Sequence, residues 1–177
     1  MVSAKLTQTF ANGVVELKKA SSKTKTVEIL FTGDFCPNHR AEKAILAGKS
    51  SEMLADLKEV LDSADLRVIN LEAPLTKGGS AIKKSGPNLK GEPGCVDFLK
   101  KANCDVALLA NNHIGDYGTK PVIETIDILK KNKIRFAGAG KNLSDARKPL
   151  SITKNGLKIS ILNYAENEFG GATEKLP

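Results

Sequence analysis

Aromatic residues make up only 5% of this 177-residue chain, and tryptophan is absent. The few aromatics do not interleave with the basic residues, so the stacking platform that single-stranded nucleic acid requires is missing. No nucleic acid is therefore expected as a partner, although Lys+Arg 27 exceed Asp+Glu 20 and leave a formal net charge of +7. Cys36, Cys95 and Cys104 are odd in number and lack the close pairing of a zinc or redox motif. They read as small half-buried residues or free thiols rather than as a disulfide framework. No segment reaches the ~20 apolar residues that span a bilayer, and the N-terminus has no apolar core of signal-peptide length. The chain as given reads as soluble; if its parent is exported, the targeting segment lies outside this sequence. Histidine is scarcer still, with only His39 and His113.

A chain of this length with 41% hydrophobic residues can bury one ordinary core. The excess of basic charge favours anionic partners such as phosphate esters, polyglutamate or anionic glycans, although the charges are scattered. Residues 1–26 are polar, with a linker-like end at 21–26, and form an N-terminal arm in which 9–17 can make a short strand; residues 27–177 are the domain. Apolar runs at 27–32, 66–71, 106–110 and 134–137 read as strands. Helical spacing appears at Met53, Leu54, Leu57, Val60 and Leu61 behind Ser50 and Ser51, at Val96, Leu99 and Ala102, and at Val122, Ile123, Ile126 and Leu129 behind Thr119. The alternation predicts an α/β fold, a mostly parallel sheet with helices on its faces. Segments 149–153 and 158–163 flank Asn155-Gly156, a strong hairpin signal. Residues 73–93 carry four glycines, three prolines and no apolar period, which makes a long loop of the kind that is functional or disordered.

Three strands end in polar residues: Asp34 after the first, Asn70 and Glu72 after the second, Asn112 and His113 after the third. In a parallel sheet these carboxyl ends lie side by side, where α/β folds bind ligands. Two carboxylates, an amide oxygen and an imidazole suit a divalent metal with oxygen-rich coordination, with Asp34, Glu72 and Asn112 as ligands. A metal-activated water would be the nucleophile, and His113 would protonate a leaving group. Taken singly, Asp34 and Glu72 read as helix N-caps and Asn112 as a turn residue. Convergence of all three strand ends favours a site. His39 can be a second ligand or a substrate contact, and an exposed loop histidine is its bland reading. The loop lysines Lys83 and Lys84, with Lys77 and Lys90, would offer cations to a polyanion, and Asp116 is grouped with the substrate contacts. Gly138-Ala139-Gly140-Lys141-Asn142 lacks the P-loop's leading glycine and trailing hydroxyl, since Arg135 and Asn142 stand there, so an NTPase is excluded.

Thr32-Gly33-Asp34, Asn70-Leu71-Glu72-Ala73-Pro74-Leu75, Ala110-Asn111-Asn112-His113 with Asp116-Tyr117-Gly118, and Gly138-Ala139-Gly140-Lys141-Asn142-Leu143 followed by Ala146-Arg147-Lys148-Pro149 occur in that order. The series resembles the poly-gamma-glutamate capsule biosynthesis protein (CapA) family, a branch of the calcineurin-like metallophosphoesterase superfamily, from about residue 27 to 164. The resemblance implies the N-terminal half of an α/β/β/α sandwich. It assigns Asp34 and Glu72 as metal ligands and Asn112-His113 as a ligand-plus-acid pair, around Mn, Fe, Zn or Mg. The implied function is capsule biosynthesis through a metal-dependent hydrolase or transferase site acting on poly-gamma-glutamate. The rival readings are a non-catalytic polyanion-binding module with a decayed site, and a generic metallophosphoesterase. Two departures weigh against a complete site: Cys36 stands where the superfamily carries histidine, and no histidine follows 113. Members are also normally longer, so a truncated chain, inactive alone, is expected. An uncovered apolar sheet face would then call for a homodimer or a complementing C-terminal half.

Overall fold

The computed structural model describes residues 8–11, 14–17, 25–167, 169 and 171–177. Strands β1 (Gln8–Ala11) and β2 (Val14–Leu17) pair antiparallel, so the arm contains a short hairpin where one strand was expected. The central sheet holds β3 (Ile29–Phe35), β4 (Leu66–Leu71), β5 (Val106–Leu108) and β6 (Arg135–Ala137). All its pairings are parallel, and the strands lie in chain order, β3-β4-β5-β6. Between them run α1 (His39–Leu46), α2 (Ser50–Met53), α3 (Lys58–Ser63), α4 (Val96–Lys101) and α5 (Thr119–Lys131). The short α6 (Leu143–Ala146) precedes a hairpin of β7 (Leu150–Lys154) and β8 (Leu157–Ile161).

Strands added in one direction by right-handed crossovers place every connecting helix on one face. The larger core forms there, with Ile69, Leu71, Ala107 and Leu109 against Ile45, Leu61, Leu99, Val122, Ile126 and Leu129. On the opposite face, Leu66, Val68 and Val106 pack against Ile152 and Ile161 of the β7–β8 hairpin. The expected α/β sheet with helices is present, and because it is wound in one direction its second face is left to the hairpin. The hairpin also covers much of the face expected to lie bare. Phe31, on the edge strand β3, stays 60% exposed.

Local chemistry explains several boundaries. The run behind Ser50 breaks into α2, a single 3-10 turn at Ala55–Leu57, and α3. Ser50 does not cap it; the buried hydroxyl donates instead to Asp97 Oδ2 at 2.7 Å, tying α2 to α4. Gly118, at φ +86, takes the N-cap position of α5 that Thr119 was expected to fill, so Thr119 becomes the first helical residue. Asn142 caps α6 by accepting from the Asp145 N–H at 2.9 Å. The Asn155-Gly156 turn forms with both residues at positive φ.

Residues 73–92 contain no helix or strand, but they are not loose. The Thr76 N–H donates to the Gly91 carbonyl and the Gly91 N–H to the Pro74 carbonyl, closing the loop at its base. The Leu75 N–H donates to the buried Thr125 hydroxyl of α5. A β-carbon at position 91 would lie 2.6 Å from the Pro37 ring, so glycine is required where the loop base meets the β3–α1 turn.

Candidate functional site

The parallel register aligns the ends of three strands. Asp34 pairs with Asn70 across β3 and β4, and Asn70 with Leu108 across β4 and β5. An irregularity between Phe31 and Asp34 in β3 brings Asp34 level with Asn70. The Asn70 amide donates to Asp34 Oδ1 at 2.6 Å. The Asn111 amide donates to Asn70 Oδ1 at 3.3 Å and to the Leu71 carbonyl at 2.9 Å, stitching the second strand end to the third. Its oxygen accepts the N–H groups of His113 and Ile114, which turns the chain sharply after β5. Asp34 and Glu72 cap no helix: α1 starts after Asn38, and no helix follows Glu72 for twenty residues.

Asp34 is exposed at this edge and Glu72 is half-buried. Asp34 Oδ2 and both Glu72 carboxylate oxygens accept no hydrogen bond among the described residues. Burial, and next the Asp34 charge, raise the Glu72 carboxyl above its usual value, an effect His113 partly offsets. Cys36 lies in the same field. Burial first, then Glu72, Asp34 and Asp116, push its thiol up to about 11, so it stands there as a neutral thiol.

His113 belongs to a different kind of arrangement. Its Nδ1 lies 2.7 Å from Asp116 Oδ2. The other carboxylate oxygen, Oδ1, accepts from the Lys84 ammonium, which also donates to the Asn112 carbonyl at 3.2 Å. Lys84 and Asp116 expose 1% and 0% of their side chains. Asp116 also gathers the loop, since Oδ2 accepts the Leu89 N–H at 2.7 Å and its carbonyl accepts the Ile82 N–H at 2.9 Å and the Asn88 amide at 3.2 Å. No buried side-chain polar atom lacks a partner among the described residues. This cluster is complete without a ligand.

The structure therefore brings Asp34, Glu72 and His113 to one edge and sorts the other expected residues differently. Lys84 and Asp116 do not face an incoming polymer, because each neutralises the other's buried charge; this corrects their expected role as substrate contacts. Lys83, the next residue, is exposed. Asn112 is exposed, and only its backbone carbonyl is engaged. His39 is exposed at the start of α1, at φ +47, with no hydrogen bond to Asp34, Glu72 or His113. The organising amide is Asn111, which sequence reasoning passed over for its neighbour. Its one signal is alternation, since Asn111 continues the inward-facing series of Ala107 and Leu109.

As to a metal, the donor chemistry of Asp34 and Glu72 fits a hard divalent cation, which would relieve the repulsion between two adjoining carboxylates. The set is partial: among the described residues no group of three His, Cys, Asp or Glu side chains converges to hold an ion.

Comparison with known proteins places the chain. It is 29% identical over 148 residues to the PGA biosynthesis protein CapA of Bacillus subtilis, covering 82% of this chain and 39% of that protein. It is 26% identical over 145 residues to the capsule biosynthesis protein CapA of Bacillus anthracis, covering 80% and 35%. A probable polyglutamine synthesis accessory protein of Mycobacterium tuberculosis is 30% identical over 123 residues, covering 70% and 32%. The chain thus spans less than two-fifths of the length of these relatives. The model of the bacterial capsule synthesis protein PGA_cap family matches residues 28–176, and the chain belongs to that family.

Proposed function

We propose that this chain serves capsule biosynthesis, acting on poly-gamma-glutamate through a divalent-cation site at the carboxyl ends of β3 and β4. The observation that carries the reading is the pairing of Asp34 and Glu72, carboxylates with open oxygens and with the Glu72 carboxyl raised by burial and by its neighbour. Asp34 and Glu72 would hold the cation, with Asn112 at hand from the third strand end. The cation, Mn, Fe, Zn or Mg, would supply Lewis acidity toward a polymer carbonyl. The chain's own contribution is to keep His113 Nδ1 occupied by Asp116, so that Nε2 is the ring atom left to move a proton to a leaving group. A cavity of about 310 Å³ beside Asn111, bordered by Ile114, Gly138, Ala139, Arg147 and Asn163 and not by Asp34, Glu72 or His113, would take a flanking part of the polymer. Lys83 and Lys77 remain exposed to meet its anionic groups. A second copy or a complementing segment would cover Phe31 on the edge strand.

One observation favours the binding-module reading: the described residues supply two carboxylates rather than a three-ligand cluster. Binding of length-defined poly-gamma-glutamate, followed by fluorescence anisotropy with and without cation, separates the readings. The proposed function predicts cation-dependent binding that Asp34→Ala abolishes. Binding that ignores both cation and Asp34→Ala identifies a polyanion-binding module. Cleavage of a generic phosphodiester with no effect on the gamma-glutamyl chain identifies a phosphoesterase.

A further inference from the structure

We infer that Lys84 is a positioning residue for His113, acting through Asp116 to fix which imidazole nitrogen carries the proton. This rests on the proposed use of His113 Nε2, and it is testable without turnover.

A lysine with 1% of its side chain exposed, in a segment with no regular secondary structure, is a costly placement that needs compensation. The compensation is specific. The Lys84 ammonium donates to Asp116 Oδ1 and to the Asn112 carbonyl, and lies 3.1 Å from His113 Nδ1. Two cation-capable groups thus converge on one carboxylate. The 2.7 Å approach of Nδ1 to Asp116 Oδ2 requires a proton between them, since a bare nitrogen would set two lone pairs against each other. That proton comes from the ring: the third Lys84 hydrogen, left over from Oδ1 and Asn112, approaches Nδ1 only at the longer 3.1 Å and does not lie between Nδ1 and Oδ2. His113 is therefore held as the Nδ1–H form, with Nε2 an acceptor.

Lys84 achieves this by occupying one carboxylate oxygen and fixing the rotation of Asp116, which leaves Oδ2 aimed at the ring. The Leu89 N–H on that same Oδ2 and the Ile82 N–H on the Asp116 carbonyl lock the carboxylate from the loop side. The long loop is consequently part of the histidine's orienting machinery. Lys83, one residue away and exposed, has no such geometry and makes the natural control.

The chain holds two histidines, so ring-¹⁵N NMR resolves both, and His39→Gln assigns them. At a pH where the rings are neutral, His113 is expected as a single Nδ1-protonated tautomer, while exposed His39 averages. Lys84→Met should abolish the single His113 tautomer and speed amide exchange at Ile82 and Leu89 at least tenfold. Lys84→Arg, which keeps a cation, should retain the tautomer, and Lys83→Met should leave the His113 ring and both amides unaltered. An Nε2-protonated His113 in the wild type overturns the inference, as does a folded Lys84→Met variant with ring and amides unaltered. Should Lys84→Met not fold, the wild-type ring and the Lys84→Arg ring decide: Nδ1–H in both supports the assignment, and its loss on Lys84→Arg removes it. These readouts involve no cation or polymer, so they stand apart from any failure of the proposed function.

Discussion

The two halves of the strand-end site differ in how far the chain satisfies its own charges. Around His113, buried Asp116 and Lys84 neutralise each other, and the loop donates to what remains. Around Glu72, a second carboxylate adjoins, and His113 offsets it only in part. The first arrangement stabilises the fold and fixes the orientation of the His113 ring. The second gives up stability at neutral pH in a place where a bound cation would reverse the sign. A finished cluster beside an unfinished one is the pattern expected where only one of two components is supplied by the protein.

Removing the working group should give the largest effect. His113→Ala is expected to lower polymer turnover by roughly 10²–10⁴-fold, in a chain of the length of the relatives, while bound cation stays constant. Equal loss of cation and turnover would move His113 from the proton-transfer side of the comparison to the ligand side. Next in size, Asp116→Ala strands a buried ammonium and should cost about 3–5 kcal/mol in urea unfolding. Asp34→Ala, on the open side, should shift stability by no more than about 0.5 kcal/mol. Equal costs at both positions would erase the distinction.

A smaller effect concerns pH. The Glu72 carboxyl is raised in the folded state, so folding binds protons there more tightly than the unfolded chain does. Its contribution is fully present below the ordinary value of 4.5 and is lost as pH rises through the folded value. Glu72→Gln should therefore unfold at higher denaturant than wild type at pH 7 without cation, and the advantage should shrink below pH 4.5. The smallest effect is chemical. With its thiol pushed up to about 11, Cys36 should react with a thiol reagent at pH 8 far more slowly than an unperturbed cysteine. Fast labelling would show that Cys36 is less buried, and less affected by Glu72 and Asp34, than the fold implies.

Much of this was legible in the residues. β4 falls where the apolar run 66–71 put it, and the Asn155-Gly156 turn made its hairpin, because both signals are local. Helix α1 was not read, since His39–Leu46 is short and buries only Ile45. The strand-end placement of Asp34, Glu72 and His113 followed from parallel topology alone. The role of Lys84 did not, because the partner that makes it a buried group lies 32 residues away in sequence. Lys83 and Lys84 look alike as a pair, and only folding separates an exposed charge from a buried one. Asn111 was hidden similarly, as one of two adjacent amides whose division of labour depends on the turn after β5.

The central claim is that Asp34 and Glu72 together are a cation site. It is tested most directly by thermal unfolding of the purified chain with increasing Mn²⁺, alongside an Asp34→Asn/Glu72→Gln double variant and His113→Ala. Saturation at 100 times Kd should stabilise the wild type by about 2.7 kcal/mol. At this chain length each kcal/mol corresponds to about 2–4 °C. His113→Ala should keep the shift and the double variant should lose it. A wild-type melting temperature indifferent to Mn²⁺, Fe²⁺, Zn²⁺ and Mg²⁺, or a shift that survives in the double variant, would contradict the account.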